Sequence, residues 1–137
     1  MDIYIRPIEA NDYEQLLTQW WKDWRWAPPP RDALPQNGTG GLIVMDGDTP
    51  VCAGFVYVTN SSICWVEWIV SNFNYKNRGN RKTALVHLVD ALTRIALASG
   101  GKYCYFMGNS PSLIEVFKIN AYSPSRDKNM NELIRRL

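Results

Sequence analysis

The sequence predicts an α/β fold of the α+β kind, a mixed and mostly antiparallel sheet flanked by helices. Three observations carry this. Three apolar, strand-like runs follow one another across tight turn signals. A long run of helical periodicity separates the third from a further strand. A Pro-Pro-Pro break isolates an earlier helix near the N-terminus.

Ile3 to Ile8 reads as an opening strand. Asn11 and Glu14 form a candidate capping pair for the first helix. Tyr13, Leu16, Leu17, Trp20, Trp21 and Trp24 then recur at helical spacing on one apolar face. Pro28, Pro29 and Pro30 stop that helix, because proline lacks the amide and clashes with the preceding turn. Arg31 to Gly41 is a loop with room for one helical turn. Gly41 to Met45, Val51 to Thr59 and Ile63 to Ser71 follow as strands, joined at Asp46-Gly47-Asp48 and Asn60-Ser61-Ser62. They read as an antiparallel meander.

A polar, basic segment from Asn72 to Thr83 leads into a long helix with Leu85, Leu88, Val89, Leu92 and Ile95 on its apolar side. Ser99-Gly100-Gly101 ends it. Lys102 to Met107 is the next strand. Ser110 and Pro111 open another helix, carrying Leu113, Ile114, Val116 and Phe117. Met130, Leu133, Ile134 and Leu137 predict a short closing helix. The strand–helix–strand unit should be parallel and right-handed, which makes the sheet mixed. A ligand crevice is expected where the strand order changes.

The chain has 137 residues, 46% hydrophobic and 20% charged, which suits one domain over residues 1–137 with a packed core. Lys plus Arg is 15 against 13 Asp plus Glu, a net charge of +2. That balance argues against a dedicated nucleic-acid scaffold. No run approaches the roughly eighteen apolar residues of a membrane span. The start, Met1 to Arg6, lacks the pattern of a secretory signal, so a cytoplasmic location is expected. Cys52, Cys64 and Cys104 lie in strand-like runs and read as reduced core thiols rather than a disulfide framework or zinc site. Asp2, Asp46 and Asp48 lack ligand spacing, so no metal site is expected.

The segment Tyr75 to Leu85 carries the most chemical information. A loop before a helix presents backbone amides beside the positive end of the helix dipole, which suits a phosphate or pyrophosphate. Lys76, Arg78, Arg81 and Lys82 add four cations in seven residues. The Walker A pattern is absent. A basic loop of this kind is also compatible with a solvated surface.

The topology and this loop together resemble the GNAT superfamily of acyl-CoA-dependent N-acyltransferases. The family loop reads Q/R-x-x-G-x-G/A. Here Lys76-Asn77-Arg78-Gly79-Asn80-Arg81 stands in its place, followed by Ala84 and Leu85. Gly79 matches the first motif glycine, and Arg81 replaces the last small residue. Ile5-Arg6-Pro7 with Asp12 resembles the family's opening. The stretch from Asn109 to Tyr122 resembles its Asn-x-x-Ala-x-x-x-Tyr-x-x-x-Gly-Phe run. The likeness extends from Ile3 to Tyr122.

The resemblance implies acetyl-CoA or another acyl-CoA as cofactor. It implies pairing of the backbone of Ile69, Val70 and Ser71 with pantetheine amides. It also implies a pyrophosphate cradle from the amides of Arg78, Gly79, Asn80, Arg81, Lys82 and Thr83. Lys76, Asn109 and Phe117 complete the expected cofactor-binding set. Phe117 takes the place of the family's proton-donating Tyr and cannot transfer a proton. Tyr122 carries the nearest substitute hydroxyl. The family's two closing strands have no counterpart, so the expectation is a sheet shortened at the C-terminus, with that part missing or supplied by a partner copy in a homodimer.

Glu67, set among Trp65, Trp68 and Ile69, is the candidate general base, since apolar surroundings raise a carboxyl's pKa. The alternative is a wet strand face. His87, the single histidine, has no Ser or Cys partner at a recognisable elbow, which disfavours a Ser-His-Asp hydrolase. Trp21, Trp24 and Trp26 are candidates for the acceptor pocket. With Lys22 and Arg25 interleaved, base stacking on single-stranded nucleic acid is a less favoured reading. The basic residues Arg126, Lys128, Arg135 and Arg136 read as solvated. The expected activity is acetyl transfer to a small-molecule or protein amine. The rival is a catalytically inactive module of the same fold that binds CoA, protein or nucleic acid, or a related protein that modifies nucleic-acid bases.

Overall fold

The computed structural model describes residues 1–124. The predicted closing helix and basic tail lie outside them. In chain order the elements are β1 (Ile3–Pro7), a π-helical turn (Tyr13–Leu17) running into α1 (Thr18–Asp23), 3-10 turns at Arg31–Ala33 and Pro35–Gly38, β2 (Gly41–Asp46), β3 (Thr49–Val58), β4 (Ile63–Ser71), α2 (Arg78–Ala98), β5 (Tyr103–Tyr105) and α3 (Pro111–Ile119). No helix among the described residues is long and apolar enough to cross a membrane.

The five strands lie side by side in chain order, antiparallel from β1 to β4 and parallel between β4 and β5. The strand order therefore does not change, and the expected crevice has another origin. Among the described residues, β5 pairs with Ile63, Cys64 and Trp65 alone. Beyond Trp65 the two parallel strands part, and the cleft is the gap between them.

Apolar runs without alternation are explained by two covered faces, because successive strand residues point to opposite sides. Val44, Cys52, Val56, Cys64 and Val66 face α2 and α3, packing on Leu88, Val89, Leu92 and Phe117. Ile43, Ala53, Phe55 and Val70 face the first helix, packing on Leu17, Trp20 and Trp21. Burial pushes the Cys52 thiol well above its ordinary range.

The predicted Asn11–Glu14 cap does not form. Asp12 occupies the N-cap without a capping side-chain bond. Its carboxylate instead accepts the Glu9 amide at 2.7 Å and both ends of the Arg6 guanidinium at 2.8 and 3.0 Å. A buried carboxylate is satisfied better by a bidentate arginine than by one helix amide.

Candidate active site

The cleft owes its lining to a bulge in β4. Ala53 pairs with Val70 and Phe55 pairs with Glu67, so Trp68 and Ile69 together oppose Gly54. Trp68 takes φ +59° to make this turn. The extra residue restores Ile69 to the α2 side and turns Trp68 toward α1. Its ring meets Trp21 edge-on at 6.3 Å. Gly54 is required opposite the bulge, since a Cβ there would stand 2.4 Å from Ile69 Cδ1. Two successive residues, Glu67 and Trp68, thereby line the same cleft. Trp68 Nε1 donates to the Tyr57 hydroxyl at 2.8 Å, and that hydroxyl donates to the Ala33 carbonyl at 2.8 Å.

Glu67 is half-buried. Its Oε1 accepts the Met107 amide at 3.0 Å, bridging the gap between β4 and the segment after β5. The cleft is open to solvent, has a volume of about 230 Å³ and is lined by Trp21, Trp26, Glu67, Trp68, Ile69, Phe106, Met107 and Asn109, among others. Trp26 reaches it because Arg25, two residues beyond α1, takes φ +61° and turns the chain back so that the Trp26 amide bonds the Trp21 carbonyl at 2.9 Å.

Trp24 takes a different place. Its Nε1 donates to the Ser71 carbonyl at 2.8 Å, and its ring packs on Trp26 and Phe73. The Asn72 amide bonds Val51 across the sheet, so by strand alternation the backbone of Ser71 faces the open side. One carbonyl expected to meet a pantetheine amide is thus already engaged by an indole.

The basic loop is tied down on both sides. Asn72 Nδ2 donates to the Pro50 carbonyl at 2.9 Å, and Tyr75 donates to Asp46 Oδ2 at 2.8 Å. The Asp2 amide bond and the Tyr75 hydroxyl hold the Asp46 carboxyl below its usual range. Arg81 folds back on this loop, donating to the Tyr75 and Asn72 carbonyls. Lys82 pairs with Glu115 at 2.9 Å, and Lys76 lies over the Phe73 ring at 4.2 Å. Arg78 is exposed at the first turn of α2 and forms no ion pair among the described residues.

The expected six-amide cradle contracts, because α2 begins at Arg78. The Asn80 amide bonds Asn77 Oδ1 at 3.0 Å, and the Arg81 amide bonds the Asn77 carbonyl at 2.9 Å. Those of Lys82 and Thr83 lie past the first turn, where each amide meets the carbonyl four residues back. Arg78 and Gly79 remain as the outward amides. In front of Gly79 the space is open, its nearest neighbour being Asn77 Oδ1 at 3.7 Å from an added Cβ.

Phe117 and Tyr122 are not in the Glu67 cleft. Phe117 is buried and stacked on Phe106 at 3.8 Å. Tyr122 packs edge-on against it and shares a 2.7 Å hydrogen bond with Thr93. Burial, and then the Cys104 contact, push the Tyr122 hydroxyl well above its usual pKa. Both residues border a separate groove between β5 and α3. His87 is exposed on α2. Trp68, Tyr57 and the Met107 amide were missed as site residues. No residue-type signal marks a bulge whose φ is positive at tryptophan.

No family model matches the chain, and no curated protein matches it in sequence. Solved structures do match. An aminoglycoside acetyltransferase from an uncultured soil metagenomic sample is 11% identical with a TM-score of 0.64, over 98% of this chain and 96% of that one. A Trypanosoma brucei acetyltransferase is 15% identical with a TM-score of 0.56, over 96% and 100%. A Bacillus halodurans protein described as a transcriptional regulator is 12% identical with a TM-score of 0.64, over 96% and 99%. At such identities the likeness is one of fold. The fold is GNAT-like, and this chain spans nearly the full length of each of those structures.

Proposed function

We propose that the chain transfers an acetyl group from acetyl-CoA to a primary amine. The observation that supports this reading is the gap between β4 and β5, which holds Glu67 and an edge of β4 that β5 leaves open among the described residues. The residues present fit the cofactor with one departure. The Ile69 backbone and the Ser71 amide offer a pairing edge for pantetheine, while the Ser71 carbonyl is engaged by Trp24. The Arg78 and Gly79 amides and the Arg78 guanidinium suit an anion, and the open space at Gly79 admits it. When bound, the acyl thioester supplies the electrophilic carbonyl and the thiolate leaving group.

The chain's own residues then hold and move a proton. Glu67 takes one from the acceptor ammonium, leaving the neutral amine that can attack. The Met107 amide fixes the carboxylate at the cleft and keeps it oriented. Phe106 and Ile69 give the cleft an apolar side. Glu67→Gln keeps the shape and removes the base. Loss of a general base lowers turnover by about a hundredfold or more, read as CoA release, with acetyl-CoA affinity retained. Unchanged turnover overturns the role of Glu67.

One observation favours the inactive binding module. Tyr122, which carries the substitute hydroxyl for a general acid, stands outside the Glu67 cleft, as does Phe117 at the position of the family's Tyr. If acetyl-CoA binds and no amine is acylated, that reading replaces the enzymatic one. Binding to nucleic acid instead would weaken steeply with added salt.

A further inference from the structure

Resting on the acyl-CoA reading, we infer that Trp24 is a latch on the cofactor edge of β4. Its indole holds the Ser71 carbonyl in the free protein and releases it when pantetheine pairs with the strand. The bond from Trp24 Nε1 to that carbonyl is 2.8 Å long and joins residues 47 positions apart. An oxygen on an open sheet edge is ordinarily met by water or by an added strand. Here β5 leaves the edge open among the described residues, and an indole takes the position instead. An extended ligand that adds to the edge through main-chain hydrogen bonds competes with Trp24 for the same oxygen.

Trp24 is placed to yield. Trp20 and Trp21, inside α1, are 4% and 1% exposed. Trp24 is the C-cap residue just past α1 and is half-buried, and Arg25, Trp26 and Ala27 after it are exposed. Its ring rests on Trp26 at 6.1 Å and meets Phe73 edge-on at 5.1 Å. The Arg81 guanidinium lies over the same ring at 5.8 Å, and Arg81 Nε is buried without a hydrogen-bond partner among the described residues. A buried donor of that kind carries a free-energy cost in the folded chain. Release of the indole opens one face of this guanidinium to the carbonyls and phosphates of the ligand. A protein that is mostly latched binds more weakly in proportion to the fraction unlatched.

The test compares the full chain with Trp24→Phe, which keeps a ring against Trp26 and Phe73 and removes the donor. Acetyl-CoA and adenosine 3′,5′-bisphosphate, the nucleotide end without pantetheine, are titrated by calorimetry. In parallel the six tryptophans are labelled as 5-fluorotryptophan and followed by fluorine NMR, the Trp24 resonance being the one the variant lacks. Trp24→Tyr assigns that resonance should Trp24→Phe not fold. The variant should bind acetyl-CoA about two- to tenfold more tightly, the worth of one hydrogen bond, and the bisphosphate no differently. In the wild-type chain acetyl-CoA should shift the Trp24 resonance and the bisphosphate should leave it in place. An unmoved resonance at saturating acetyl-CoA, an equal shift with the bisphosphate, or unchanged or weaker acetyl-CoA binding by a folded Trp24→Phe overturns the latch and leaves acyl-CoA use standing. Absence of acetyl-CoA binding to both proteins overturns the cofactor reading and the latch with it.

Discussion

Gly54→Ala tests the bulge that builds the cleft. An added Cβ would lie 2.4 Å from Ile69 Cδ1, 3.0 Å from Leu92 Cδ1 and 3.5 Å from Leu88 Cδ2. Carbon atoms rest at about 3.5–4.0 Å, so the Ile69 methyl must retreat by more than an ångström. Leu88 and Leu92 are fully buried and leave it nowhere to go on the α2 side. Overpacking of this kind costs roughly 1–3 kcal/mol. Replacing a strand glycine returns about 0.5–1 kcal/mol of backbone entropy. The expected net loss is about 1–2 kcal/mol, seen in urea unfolding as a lower midpoint at constant m-value. Ile69→Val removes the clashing Cδ1 methyl. Combined with Gly54→Ala it should recover most of the loss, with a favourable coupling of about 0.5 kcal/mol or more. Neutral Gly54→Ala, or strictly additive effects, would refute the assignment of Gly54 as the residue that makes room for the bulge.

Other outcomes follow from the ion pairs and thiols. Burial raises the Asp12 carboxyl, but the Arg6 guanidinium and the Glu9 amide outweigh it and hold the group below its ordinary value of 3.8. A depressed carboxyl stabilises the fold above its unfolded pKa and loses that contribution as pH falls through the folded one. Thermal stability should therefore fall below about pH 4, and Asp12→Asn should flatten that acid limb. At neutral pH Asp12→Ala leaves Arg6 and the Glu9 amide without their acceptor and should cost about 1–3 kcal/mol in chemical unfolding. Burial also raises the thiols of Cys52 and Cys104. In the native protein a disulfide reagent should leave Cys52 unmodified and react with half-buried Cys104 slowly; rapid modification of Cys52 would contradict its place under α2.

Much of the fold was legible because two periods dominate the chain. The meander from Gly41 to Ser71 follows from apolar runs broken at Asp46-Gly47-Asp48 and Asn60-Ser61-Ser62, and β4 keeps its predicted bounds. The stop at Gly100, with φ +93°, follows from glycine's freedom in that region. Glu67, Trp21, Trp26, Ile69 and Asn109 come together as neighbours of one cleft.

What remained illegible depends on contacts distant in sequence. Arg81 reads as a phosphate ligand in a basic loop, yet its guanidinium is used to hold that loop's carbonyls. Trp24 shares a helical stripe with Trp20 and Trp21, yet its indole ends on Ser71, 47 residues away. Periodicity assigns a face but not the hydrogen bond at its edge. Phe117 and Tyr122 follow a family pattern in order, but the packing of Phe117 on Phe106 draws both into the side between β5 and the helices.

The most direct test of acyl-CoA use is calorimetric titration of the chain with acetyl-CoA, with Arg78→Glu as the control. Arg78 is exposed and outside the core, so its reversal spares the fold and reports on the anion site. The cleft and the first turn of α2 predict single-site micromolar binding that the control weakens by about tenfold or more. No heat at millimolar acetyl-CoA, or binding indifferent to Arg78→Glu, would contradict the assignment of this cleft and helix start to the cofactor.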